Sequence, residues 1–514
     1  MKRGSWNWLG WSLLVPALFS LVFAFHPIWS ALAVGGDDGF ELCKSLLLAQ
    51  DPAAAPQMWN DQPWLHTMLM AFLFKVFGPA AGIPRVFSLV SVAAMLAGIG
   101  WMIRRLAGPL EMVLAGILFF SAGGMVNLSV AGMCELPAIA WAVVAAAVCY
   151  APEPRPDWRR FLLSGVLMAA AAQIKLTGLI VLPALAGLVL REWGWKAAFK
   201  LAWVWLAGFL AAFLLVAAVS PTFDWRELLD SHARAALAIK PEDRGFLSFH
   251  IGQLFENPGL LAAGVLGLIC LLRQQAPAPL VFGAVMLATA GLVAALQRPW
   301  WVFYMVHFNV PLSLLGSVGL GKFARAAVRA LRERWDQGDV PTAQPDGGWL
   351  RTRCHGALGL LGAATAFAAW IGFAIPHSAT EFEDFQTLVR PRDDNVCSSL
   401  RTYAPKTHWC YTQLREYAFS ARLLIPPELI VVSRKRFLCG DLTDRGIVKL
   451  VQRYQPEQLL LRDNAEMNDT NWSVWMTNQY VLVDQNEGKE LWVARRLHPK
   501  AMTQTEDRLH QFGL

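Results

Sequence analysis

Long apolar runs dominate this chain and set the first limit on its fold. They recur at roughly 9–33, 84–103, 110–130, 136–151, 161–174, 177–191, 201–220, 259–273, 280–296, 302–321 and 357–376. About 20 apolar residues suffice to cross the hydrocarbon of a bilayer as a helix, the form that satisfies every backbone polar group within the segment. The runs give about 11 candidate spans, some shorter than an ordinary one, and describe a mainly α, polytopic membrane helix bundle. Composition agrees: 55% of the 514 residues are hydrophobic and only 16% are charged. A net charge of +7 would suit a nucleic-acid binder, but the Lys and Arg residues sit in short connections between apolar runs, where an anionic leaflet favours them. The lipid bilayer, and not nucleic acid, is the expected partner.

The first 25 residues have the basic start and apolar core of a signal peptide, yet the apolar run continues to Ala33 without a cleavage site and reads as a retained first span. Pro63 to Phe77 is apolar enough to be a further span, and that choice inverts everything after it. If it lies flat at the interface, Arg104, Arg105, Arg155, Arg159, Arg160, Arg191, Lys196, Arg273 and the cluster from Lys322 to Arg334 all fall on the cytoplasmic side. The flat placement is therefore expected. It puts 34–83, 131–135, the turn at Lys175, 221–257, 297–301 and everything after about 377 on the outer face of the inner (plasma) membrane.

Two parts follow. Residues 1–376 form the transmembrane module, with interfacial helices in the first outer loop, 34–83, and a cytoplasmic linker at 322–356. Residues 377–514 are polar, alternate in ELIVVS (428–433), EQLLLR (457–462) and ELWVAR (490–495), and read as a small outer α/β domain. The eight cysteines show no metal-ligand spacing; Cys397 and Cys410 lie on the outer side, where a disulfide between them is conceivable.

The acidic residues gather on the same outer face. Asp37 and Asp38 end the first span with no basic residue before Lys44; adjacent carboxylates at low dielectric titrate as a coupled pair, and one could serve as a general base. The plainer reading is that they merely help to orient the first helix. Asp61 and Gln62 precede Pro63 as a helix cap, and His66 follows one turn on. Glu135 opens the span after the outer turn at 131–135, and Lys175 is a cation between two apolar helices, where an unpaired charge is costly, so it calls for an anion unless it snorkels to the interface. Arg298, within QRPWW, and nearby Tyr304 and His307 combine an aromatic belt with a cation that suits a lipid phosphate. Clustered carboxylates, Asp37 and Glu135 above all, could hold a divalent cation such as Mg or Mn. His232 and His250, in the long outer loop, have solvation as their default explanation.

The segments GDDGFELCKSLL, WNDQPWLHTMLMAFLFKVFG, IPRVFSLVSVAAMLAGIGWMIRRLAG, CELP, QIKLTGLIVLP and RPWWVFYMVHFNVPLSLL, in that order, resemble the GT-C superfamily of membrane glycosyltransferases, in the branch of protein O-mannosyltransferases and lipid A aminoarabinose transferases. The likeness covers about residues 1–325. It implies a polyprenyl-phosphate-linked sugar as donor, transfer to a glycolipid, glycan or protein acceptor outside the membrane, and Asp37 as the base that deprotonates the acceptor. Asp38 stands where the family often has Glu, and Glu135 where it usually has Asp. Gln62 departs from the pattern, since relatives carry Lys after the acidic residue; Lys175 or Arg298 would then compensate. Two other functions fit the same residues: a transporter or flippase with an intramembrane ion relay, and a non-catalytic prenyl-lipid-binding member of the fold.

Overall fold

The computed structural model describes residues 7–25, 27–35, 37–150, 156–222, 224–238, 257–273, 277–296, 301–336, 387–462 and 470–498, with parts of 364–385. Helix α1 (Asn7–Ala24) leads into an irregular stretch, followed by α2 (Asp38–Gln50) and α3 (Leu65–Phe77). The bundle continues with α4 (Gly82–Ile103), α5 (Pro109–Phe120), α6 (Met125–Val130), α7 (Glu135–Cys149), α8 (Trp158–Ile174), α9 (Leu182–Val219), α10 (Trp225–Ala238), α11 (Pro258–Arg273), α12 (Ala278–Leu296) and α13 (Val306–Asp336).

Among the described residues, four helical stretches are long and apolar enough to cross a membrane: Gly82–Ile103, Leu176–Val219, Ala278–Leu296 and Val302–Ala326. Shorter apolar helices, among them Pro109–Phe120, Glu135–Cys149 and Pro258–Leu272, lie where further spans are expected, and backbone breaks set some of the bounds. The run expected at 110–130 stops at Phe120 and restarts beyond Gly124, whose φ of 75° is a left-handed conformation that a side chain would disfavour. Helix α9, over the runs at 177–191 and 201–220, is two helical arms that meet at a kink at Gly194, with φ 73°. Its second arm lies so close on α8 that a Cβ on Gly165 or Gly208 would stand 2.1 or 2.4 Å from a carbonyl oxygen of the facing helix. Half of the span expected at 357–376 lies outside the described residues, and those described between 364 and 376 are helical.

Helix α3 has 13 residues, about 20 Å of helix, too short for a hydrocarbon layer of about 30 Å. It packs along α2, burying Met70, Ala71 and Phe74 while Phe72, Val76 and Phe77 stay exposed. The basic residues mark the far end of the bundle. Trp101 donates to the Tyr150 carbonyl at 2.8 Å, the Arg104 guanidinium stacks on Trp101, and Arg325 pairs with Glu111.

The C-terminal part carries a four-stranded sheet of order β1–β2–β4–β3, from β1 (Cys410–Thr412), β2 (Gln458–Arg462), β3 (Tyr480–Asn486) and β4 (Lys489–Ala494). β1 and β2 are parallel; the other pairings are antiparallel. The alternating segment at 428–433, expected as a strand, is a single helical turn, Pro427–Ile430, running into a loop. Prolines at 426 and 427 stand at the cap and first position of this turn, where their fixed φ favours a helical start. Cys397 and Cys410 are separate free thiols; Cys397 Sγ lies 3.4 Å from the Ser420 hydroxyl.

This domain does not merely sit outside the bundle. Leu42, Leu46, Leu47, Met58, Trp64 and Phe74 of the first loop share one hydrophobic core with Tyr411, Leu414, Tyr417 and Phe419 of the domain. Arg415 stacks over the Phe40 ring at 3.9 Å, and the Cys43 thiol donates to the Arg415 carbonyl at 3.3 Å. Helix α2 is the shared wall between the two parts, and its N-terminus is where they meet the site.

Candidate active site

A cavity of about 340 Å³ opens between one end of the bundle helices and the C-terminal domain. Asp37, Asp61, Gln62, Glu135 and Lys175 all line it, although they come from four separate elements or loops of the chain. Three of them are delivered by helix ends, and Asp61 and Gln62 by the loop before α3. Asp37 immediately precedes α2, Glu135 is the first residue of α7, and Lys175 follows the last residue of α8.

Asp37 and Asp38, adjacent in sequence, have opposite fates. Asp38 is fully buried and turned away from the cavity: its Oδ2 accepts from Arg85 Nη2 at 2.7 Å and its Oδ1 from the Gly132 amide at 2.8 Å. Arg85, also fully buried, donates further to the carbonyls of Ile28 at 2.5 Å, Ala31 at 2.9 Å and Leu32 at 3.4 Å. This single ion pair joins the tail of α1, the start of α2, the start of α4 and the turn before α7. It fixes the backbone from which Asp37 projects. A catalytic part for Asp38, expected from its sequence position, has no cavity access to support it.

The Asp37 carboxylate lines the cavity, partly buried, with no capping bond to its helix and no ion pair among the described residues. Burial pushes its carboxyl up to about 6, helped by the nearby Glu135 charge and opposed by Lys175. A carboxylate poised there is ionised at neutral pH yet basic enough to accept a proton.

The other cavity acids each carry a lysine. Glu135 pairs with Lys175, whose ammonium also lies 5.4 Å from the Tyr304 ring. Glu41, which reaches the cavity one helical turn beyond Asp37, pairs with Lys44 at 2.5 Å and takes His66 Nδ1 at 3.3 Å on its other oxygen. Although burial pushes Glu41 up, Lys44 and His66 outweigh it and hold the carboxyl well below the usual range. Asp61 pairs with Lys435 at 2.9 Å. There too burial acts upward and the lysine wins, leaving Asp61 below its ordinary value. Asp61 is therefore not a cap for α3, which begins at Leu65 with Trp64 before it, beyond the reach of that carboxylate.

The remaining expected residues sit behind this surface or outside the described residues. His66 is 1% exposed and holds Glu41 from behind, and His307 is fully buried with Nδ1 2.7 Å from the Tyr304 carbonyl. Arg298 falls outside the described residues, while Trp301, Phe303 and Tyr304 of the same segment line the cavity.

Sequence reasoning left His232 to solvation and did not single out Glu41, Lys44, Arg434 or Lys435, yet all five line the cavity. Glu41 and Lys44 were within reach of it: they follow Asp37 at helical spacings of four and seven. For Lys435 no local signal exists, because its partner Asp61 is 374 residues away.

No family model matches the sequence, and no curated protein matches it. Solved structures do. ArnT, the lipid A aminoarabinose transferase, from Cupriavidus metallidurans, superposes with a TM-score of 0.61 when bound to undecaprenyl phosphate, over 94% of this chain and 98% of ArnT, at 15% identity. Its apo form gives 0.58, over 95% and 98%, at 16% identity. The Archaeoglobus fulgidus oligosaccharyltransferase, tethered to an acceptor peptide, gives 0.55 over 96% of this chain and 74% of that one, at 11% identity. Both neighbours belong to the GT-C superfamily, and this chain has their fold.

Proposed function

We propose that this chain is a membrane glycosyltransferase that moves a sugar from a polyprenyl-phosphate-linked donor to an envelope glycolipid, polysaccharide or protein, with Asp37 as the general base. The observation that carries this reading is the contrast inside the cavity: Asp37 is the carboxylate without a cation partner among the described residues, and lysines surround it. The fold adds support, since the ArnT structure of the same architecture holds undecaprenyl phosphate and the oligosaccharyltransferase holds an acceptor peptide.

In this mechanism the acceptor oxygen or nitrogen attacks the anomeric carbon while the bond from that carbon to the phosphate oxygen breaks. The electron pair leaves with the polyprenyl phosphate, and Asp37 takes the proton of the acceptor. One displacement inverts the anomeric centre. Lys175 and Lys435 stand where they could meet the charge that develops on the leaving phosphate. The cavity faces the outer side of the membrane, opposite the basic end marked by Arg104 and Arg325. Asp38 and Arg85 act through position, and His66 and His307 through the orientation of Glu41 and Tyr304.

The test is transfer from undecaprenyl-phosphate sugars in membranes of a deletion strain, with the native chain or Asp37→Asn added back, and mass spectrometry of envelope glycans. One sugar missing in the deletion, restored by the native chain and not by the folded variant, is the expected result. Turnover retained by Asp37→Asn removes its assigned role. Lipid-sugar binding by the native chain without turnover favours the non-catalytic reading instead.

A further inference from the structure

Resting on that reading, we infer that the cavity meets its substrate's phosphate with lysine ammonium groups set where a divalent cation would otherwise bind, so that transfer needs no metal ion. Clustered acids at the end of a bundle suggest a metal site, and Asp37 with Glu135 is the pair that sequence reasoning favours. The side chains present do not fit one. Glu135 carries Lys175, Glu41 carries Lys44 and Asp61 carries Lys435, so three of the four acids lining the cavity are already neutralised by a tethered cation. A single remaining carboxylate, Asp37, is a poor ligand set for Mg²⁺ or Mn²⁺, which favour several oxygen ligands.

The geometry around Lys435 is the most specific evidence. Its Nζ lies 2.9 Å from Asp61 Oδ2 and 2.8 Å from His232 Nδ1, a nitrogen that also lies 2.6 Å from the Leu228 carbonyl. A carboxylate oxygen and an imidazole nitrogen, both donor types that metal ions use, are thus brought by two different segments to one point. An ammonium group from a third segment takes that point. Lys435 is 6% exposed, and its position is anchored by its neighbours: Arg234 on α10 pairs with Asp441 at 2.7 Å, and Cys439 Sγ donates to the Ser231 carbonyl at 3.0 Å.

A second donor set gives the same answer. Glu41, His66 and Cys134 place ligand atoms within 4.8 Å of one another. Both Glu41 oxygens are engaged, one by Lys44 and the other by His66 and Thr67. An added cation would have to compete with an ammonium 2.5 Å from the same carboxylate.

Two experiments on the full chain in detergent or proteoliposomes test this. The first strips the native protein with EDTA and measures undecaprenyl phosphate binding by tryptophan fluorescence, and sugar transfer in membranes of the deletion strain. Both are expected to be unchanged. Loss of either on chelation, restored by Mg²⁺, Mn²⁺ or Zn²⁺, overturns the inference while leaving the transferase reading intact. A chain that transfers no sugar with or without metal overturns the transferase reading, and this inference with it. The second experiment compares Lys435→Ala with Lys435→Arg. Losing one charge-assisted contact weakens undecaprenyl phosphate binding about tenfold in the alanine variant, and arginine restores most of it. With Asp61 and His232 released, the alanine variant alone also gains a thermal shift with Zn²⁺. Undiminished binding by a folded Lys435→Ala protein counts against the lysine's part.

Discussion

The Asp37 carboxylate should cost the protein stability, and its removal should make a dead enzyme that melts later. Its folded pKa is about 6, against an ordinary value of 3.8. Between those values the folded chain binds more protons than the unfolded one, so stability falls as pH rises from about 4 to about 6 and stays low above that. A shift of about 2 units corresponds to about 3 kcal/mol at pH 8, and about half of that remains at pH 5. Water entering the cavity reduces the penalty, so a gain on the order of 1–3 kcal/mol is expected for Asp37→Asn at pH 8. The neutral amide keeps the size of the side chain and removes only the charge. Tryptophan fluorescence melts in detergent at pH 8 and pH 5, beside the transfer assay, make the measurement. The expected outcome is a higher melting temperature for the variant at pH 8, a smaller difference at pH 5, and no transfer at either. A variant that melts at or below the native temperature at pH 8 would refute the claim that Asp37 is held ionised against its surroundings.

Other expectations follow from the same contacts. The acid limb of the pH–rate profile should fall near pH 6 and move in opposite directions in two variants: down with Glu135→Gln, which removes a neighbour that raises Asp37, and up with Lys175→Met, which removes one that lowers it. A shift of both limbs the same way would point to general damage. Arg85→Met leaves the fully buried Asp38 charge without its cation and should cost about 3–5 kcal/mol, seen as a large drop in melting temperature. Gly132→Ala should act similarly, since its Cβ would stand 2.3 Å from Asp38 Oδ1. The bundle expressed as residues 1–376 exposes the apolar face of α2 and should aggregate in size-exclusion chromatography, whereas an independent outer domain would leave it monodisperse.

The sequence alone determined the class of this molecule, because the length of an apolar run is a local property that bilayer thickness reads directly. It also determined which stretches carry chemistry: a polar, acidic segment after an apolar helix, or a lysine between two of them, is conspicuous on energetic grounds wherever the fold puts it. Helical spacing would even have supplied Glu41 and Lys44. What the tertiary structure decided is how two adjacent aspartates divide. Asp38 turns inward because Arg85, 47 residues on, and the amide of Gly132, 94 residues on, converge on it; Asp37 is left facing the cavity. Local sequence could not show this, since partnership in a buried ion pair is a property of the packed helices. Nor could it show that Asp61 serves a lysine from the other end of the chain instead of its own helix. Helix bounds are hidden for a related reason: left-handed glycines at 124 and 194 break or kink helices that hydropathy reads only as apolar. The cavity acids announced themselves as charges, and only the fold gave Glu41, Asp61 and Glu135 their lysines and left Asp37 without one among the described residues.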